Sequence, residues 1–125
     1  MTIAYWCVFG MLLFPYVFTV MAKWSNRYDN ENPRVYLANT TGWRWRANST
    51  QLNCFEANPA FGLAVIIASL VHAPQNRIDL MAIVFVICRI IYAFCYITDK
   101  ASLRTLFWFG GLLSVISLFI ISALA

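Results

Sequence analysis

Four blocks of this chain are so long and so apolar that they dictate almost everything else about it. They run roughly from Ile3 to Ala22, Leu52 to Val71, Ile78 to Thr98 and Leu103 to Leu124. About 20 residues of helix, rising 1.5 Å each, cross a hydrocarbon layer of about 30 Å, so each block has the length of one membrane span. In lipid every backbone N–H and C=O must be satisfied within the segment, which a helix achieves and a lone strand does not. The expectation is an all-α membrane protein, a four-transmembrane-helix bundle. Its spans at 3–22, 52–71, 78–98 and 103–124 form a single membrane domain over residues 1–125. Charge agrees, because 11% of the residues are charged against about 25% in a soluble domain. Disordered, collagen-like and nucleic-acid-binding chains are excluded on the same ground. The surplus of 9 basic over 5 acidic residues reads as membrane topology, with no nucleic acid partner.

The first connection carries Lys23, Arg27, Arg34, Arg44 and Arg46, the third Lys100 and Arg104, and the second only Arg77. The positive-inside rule puts the first and third on the cytoplasmic side and both termini on the non-cytoplasmic side. No basic residue precedes the first span, so it reads as a retained helix rather than a cleaved signal. The localisation is a multi-pass integral membrane protein, in the inner (cytoplasmic) membrane if the cell is bacterial. Asp29, Asn30, Asn32 and Pro33 form a turn-rich stretch in the first connection, and Trp43-Arg44-Trp45-Arg46 alternates indole and guanidinium as a headgroup-level approach to the second span.

Glu56 and Arg89 fall inside spans, where a charge costs about 3 kcal/mol on insertion scales and faces a partner or a wet cavity. Arg46, Ser49, Asn53, Glu56 and Ala60 follow one another by three or four residues, one face of a helix; Arg89, Tyr92 and Tyr96 do the same on the third span. Two polar stripes on adjacent helices describe either a hydrophilic pocket or a structural Glu56–Arg89 ion pair, and spacing alone leaves both open. Pro59 frees the carbonyl of Phe55 within the second span. Small residues at Gly110, Ser114 and Ser117, and at Ala57, Ala60, Ala64 and Ala68, allow close helix approach.

Asn32-Pro33-Arg34, Gly42 with Arg46-Ala47, Asn53-x-x-Glu56-x-x-Pro59-x-Phe61 and Arg89-x-x-Tyr92-x-x-x-Tyr96 occur in order through the chain. In this it resembles the membrane-associated proteins in eicosanoid and glutathione metabolism (MAPEG), in their short bacterial branch. The resemblance implies a homotrimer of four-helix subunits that binds glutathione as cosubstrate between neighbours. By matching positions, Asn53 and Glu56 would hold the polar backbone and amino end of glutathione, with Arg46 at the pocket mouth. Arg89 would brace Glu56 and the peptide, and Tyr92 and Tyr96 would line the pocket beside the thiol. Arg104 would stabilise the thiolate as the catalytic residue with Tyr96, although it equally suits a positive-inside anchor. The implied activity is a glutathione-dependent transferase or peroxidase on a lipophilic electrophile or hydroperoxide arriving among the membrane lipids.

Eukaryotic members carry a second arginine four residues before the motif asparagine, where this chain has Ser49. A non-catalytic structural or accessory subunit of the same family is the alternative that Ser49 favours. A small multidrug transporter also has four spans and a membrane glutamate, but its glutamate belongs in the first helix between short loops. Cys7, Cys54, Cys88 and Cys95 lack C-x-x-C spacing and read as free thiols, and the single His72 has no companion ligand nearby, so no metal is expected.

Overall fold

The structure, a computed structural model, describes residues 1–125. It is all-helical: α1 (Ile3–Lys23), α2 (Pro33–Ala38), α3 (Gly42–Leu70), α4 (Gln75–Ile97) and α5 (Ala101–Ala123). Every helix but the six-residue α2 is long and apolar enough to cross a membrane. The expected spans are all present, with two differences at their edges. Helix α3 begins at Gly42 rather than near Leu52 and runs for 29 residues. At 1.5 Å each that is about 44 Å, well beyond a hydrocarbon core of about 30 Å, so its first turns stand at headgroup level. The stretch after Asn32, expected as turn, instead starts α2 with Pro33 at its first position. There the missing N–H costs nothing and the ring presets a helical φ. Leu37 of α2 is buried against Ala22 and Ala47, which docks the short helix between the end of α1 and the start of α3.

Two tight turns make the long helices antiparallel neighbours. His72 (φ 57°) and Asp99 (φ 62°) adopt the left-handed conformation just past α3 and α4. Ala73 N–H donates to the Ala68 carbonyl and Lys100 N–H to the Cys95 carbonyl, while His72 and Asp99 donate to Ser69 and Tyr96. Both turns are thus Schellman closures, and they satisfy the last carbonyls of each helix before it leaves the bundle.

The helices pack chiefly as α1 on α3 and α5 on α4, with α3 and α4 joining the pairs. An apolar core fills the half of the bundle nearest the termini: Met11, Val65, Ile78, Phe85, Val115 and Leu118 meet there among small alanines. Phe61 and Phe85 stack face to face with ring centroids 4.1 Å apart. Gly110 sets the α4–α5 spacing, since a Cβ there would lie 2.8 Å from Cys88 Sγ.

Polar groups inside the bundle are met across helices. Pro15 in α1 leaves the Met11 carbonyl without its helical donor, and Asn58 of α3 reaches over to supply one through Nδ2 at 2.6 Å. Thr19 donates to Gln51, which in turn donates to Asn48 at 2.9 Å. Asp79 of α4 accepts from the Ala4 N–H at 2.9 Å, closing the start of α1. The core therefore occupies one end of the bundle, and the other end is left to polar chemistry.

Candidate functional site

Above the Phe61–Phe85 stack, the faces of α3, α4 and α5 separate. Helix α3 brings Ser49, Asn53 and Glu56 to the gap at spacings of four and three residues, and α4 brings Arg89, Tyr92 and Tyr96 at three and four. Helix α5 contributes Arg104, Trp108, Gly111 and Val115, again at four, three and four. Three helices thus turn one stripe each toward a common space.

That space has two parts, which share Asn53, Glu56 and Trp108. The outer part, about 410 Å³, is bordered by Ser49, Tyr92, Tyr96 and Arg104 near the helix ends. The inner part, about 250 Å³, is floored by Phe85 and walled by Ala57, Ala60, Gly111 and Val115, with Arg89 at its edge. A polar vestibule therefore opens onto an apolar chamber, with the Glu56 carboxylate and the Trp108 indole at the boundary.

Arg89 is 1% exposed. Its Nη2 donates to Asn53 Oδ1 at 2.7 Å and to Cys54 Sγ at 3.4 Å. The guanidinium lies over the Tyr92 ring at 4.2 Å, and its stem crosses α5 where Gly111 offers no side chain, with Cδ 3.5 Å from where a Cβ would be. Nε has no partner in the chain. The expected brace from Arg89 to Glu56 is absent: the arginine holds Asn53 instead, one helical turn nearer the surface. Spacing along a helix fixes the face a residue occupies but not the partner its long side chain selects across the bundle. Glu56 is left exposed in the isolated chain, facing both cavities.

Tyr96 and Arg104 form the second pair. The Arg104 guanidinium stands 4.6 Å over the Tyr96 ring, and Tyr96 meets Tyr92 edge to face at 5.8 Å. A guanidinium placed over a ring can still direct N–H groups to an anion. Arg104 lies in the first turn of α5, so it is presented at the rim of the vestibule rather than in the chamber.

Arg46 lines neither cavity. Its Nε donates to the Ile97 carbonyl at 3.0 Å, at the end of α4, where it meets one of the last orphan carbonyls of that helix. The side chain expected at the pocket mouth thus ties the start of α3 to the turn that leads into α5. Trp108 and Gly111 were missed by sequence reasoning, although their signal was present: they continue the Arg104 stripe at the next two helical steps.

Compared with known families, residues 3–124 match the family model described as MAPEG family. No curated protein matches. No solved structure matches either.

Proposed function

Because the chain belongs to the MAPEG family, an integral membrane family generally associated with glutathione, we propose that it is a membrane-embedded, glutathione-dependent transferase or peroxidase. The observation that carries this is the vestibule itself, in which Asn53, Glu56, Tyr92, Tyr96 and Arg104 border one space. Each group present suits a part of glutathione. The Glu56 carboxylate takes the amino end, the Asn53 amide, oriented by Arg89, takes a backbone group, and Tyr92 and Tyr96 flank the thiol. Arg104 takes the sulfur. A free thiol has pKa about 8.5, and an adjacent guanidinium favours its thiolate.

The reaction follows from that placement. The thiol proton leaves to water as the thiolate forms beside Arg104 and the Tyr96 hydroxyl. The sulfur then attacks an electrophilic carbon, making a C–S bond as the leaving group departs with its electron pair. With a hydroperoxide it attacks the terminal oxygen instead, which releases an alcohol and leaves a sulfenic acid; a second glutathione converts that to the disulfide and water. The apolar chamber below Trp108 suits the substrate's hydrocarbon, so the two reactants approach from water and from lipid and meet without a soluble domain.

We place the first and third connections in the cytoplasm, with both termini on the far side, as the distribution of basic residues favours. Contact with further copies, three in all by the family resemblance, is supported by two features. Glu56 is exposed on a membrane span, where lipid is a costly neighbour. Arg104 is also the one cation bordering the vestibule, so the two carboxylates of glutathione take their cations from an adjacent copy. Ser49 on the vestibule wall, where a guanidinium would grip a carboxylate, favours a second possibility, a family member without thiol chemistry that serves as an accessory membrane subunit.

Titration calorimetry with glutathione, together with conjugation of 1-chloro-2,4-dinitrobenzene, decides between them. Glu56→Gln is expected to weaken glutathione roughly tenfold or more by removing a charge-assisted contact. Arg104→Ser is expected to keep binding and lose turnover. Absence of both binding at millimolar glutathione and conjugation by the parent protein would overturn the glutathione-dependent reading and favour the accessory subunit.

A further inference from the structure

At the end of the bundle where α1 stops and α3 begins, Ser25, Arg27 and Arg44 border two adjoining surface clefts of about 590 and 690 Å³. Arg44 is held in place twice: its Nε donates to the Trp24 carbonyl at 2.8 Å, and its guanidinium stacks on the Trp43 ring at 4.4 Å. Neither contact neutralises its charge. Asp29, the carboxylate bordering the first cleft, is bonded by the Glu31 N–H at 3.0 Å and Asn32 Nδ2 at 3.3 Å rather than by an arginine, and its single negative charge leaves the cations in surplus. Lys23 borders the second cleft and lies 5.2 Å over the Tyr28 ring. Arg27, Arg44 and Lys23 therefore converge with no carboxylate paired to any of them.

Depth identifies the counter-ion. Helix α1 has 21 residues, about 32 Å of rise, which just spans the hydrocarbon and puts Lys23 and Trp24 at headgroup level. The overlength start of α3 puts Trp43, Arg44 and Trp45 at the same level. Trp24 is 72% exposed, and Trp43 and Trp45 are also exposed, as suits indoles lying among glycerol esters. Unpaired cations between exposed indoles, at the depth where lipid phosphates lie, match the chemistry of juxtamembrane anionic-lipid sites.

We propose that the clefts between the 24–29 segment and the start of α3 bind the headgroup of an anionic phospholipid, with Arg27 and Arg44 taking the phosphate and Trp24 and Trp43 lying in its ester layer. A zwitterionic lipid offers the same phosphate but cancels it with its own ammonium, so the surplus positive charge selects net-negative lipid.

The test is native mass spectrometry of the full chain released from nanodiscs of equal phosphatidylglycerol and phosphatidylcholine. The parent is expected to retain phosphatidylglycerol preferentially. Arg27→Gln with Arg44→Gln is expected to lower that preference roughly 30-fold, the usual worth of two surface cations. Arg77→Gln, at the opposite end of the bundle, is expected to leave it unchanged. Equal retention of the two lipids by the parent, or an undiminished preference in the double variant, overturns the proposal, as does displacement of the lipid by millimolar inorganic phosphate, which would make this a free-phosphate site. Circular dichroism in the same discs checks folding. If the double variant loses helix, Arg27→Gln alone, in the exposed loop, decides by an expected loss of about fivefold.

Discussion

Arg89 explains how a charge can sit buried between the helices of this molecule. An arginine buried among helices needs acceptors for its donors: Nη2 has Asn53 and Cys54, the guanidinium lies over the Tyr92 ring, and the buried Nε is left without a partner. The arginine fixes the oxygen of Asn53, a residue that borders both cavities. Arg89→Met keeps the stem packed on Gly111 but leaves Asn53 unpaired; thermal unfolding in detergent is expected to show a loss of about 1–3 kcal/mol. On the proposed function, titration calorimetry would also show glutathione bound several-fold more weakly. Much of this constellation is legible from periodicity, which puts Asn53 with Glu56 and Arg89 with Tyr92 and Tyr96 on common faces. The pairing is not. A guanidinium on a four-bond stem reaches across a full helical turn, so the choice between Glu56 and Asn53 rests on helix depth and rotation, which no local pattern encodes. Arg46 diverges for a similar reason: it shares a face with Asn53, yet the free carbonyl at the end of α4 captures it first.

At the scale of elements, the α4–α5 pair depends on a single missing side chain. A Cβ at position 110 would fall 2.8 Å from Cys88 Sγ, so Gly110→Ala is expected to push α5 away from α4 and cost about 1–3 kcal/mol. Removing the obstructing sulfur should reverse most of that: Cys88→Ala in the same chain is expected to restore the midpoint in a thermal melt. A Gly110→Ala protein as stable as its parent would show that the two helices are not held at this distance. The spans themselves are legible because hydrocarbon thickness sets their length, whatever their neighbours. The start of α3 is less so. Its first turns hold Trp43, Arg44, Trp45 and Arg46, whose composition suits loop, helix or interface alike, and the helical register there is shared with Ala47 and Gln51, which meet Ala22 and Thr19 of α1. Likewise Asn32-Pro33 is as good a turn signal as a helix start, and docking of Leu37 against Ala22 and Ala47 decides it.

At the scale of the whole molecule, 27 of 125 residues are buried, so most of the lateral surface awaits either lipid or another copy. Glu56 distinguishes the two on its side, since a carboxylate there calls for protein or water. On the proposed function, light scattering of the detergent-solubilised chain is expected to give a protein mass of three copies; the mass of one copy would overturn the homotrimer. The cross-helix hydrogen bonds carry one more consequence, for the order in which the chain can be built. As ribosomal synthesis proceeds, α1 reaches the membrane first, with the Met11 carbonyl opened by Pro15 and the Ala4 N–H unmet. The donor for the first is Asn58, 47 residues later, and the acceptor for the second is Asp79, 75 residues later. An early α1 is therefore an incomplete span, best kept at the translocon or among attendant proteins until α3 and then α4 arrive. Chains truncated between these points are expected to leave one or both of these groups without its partner.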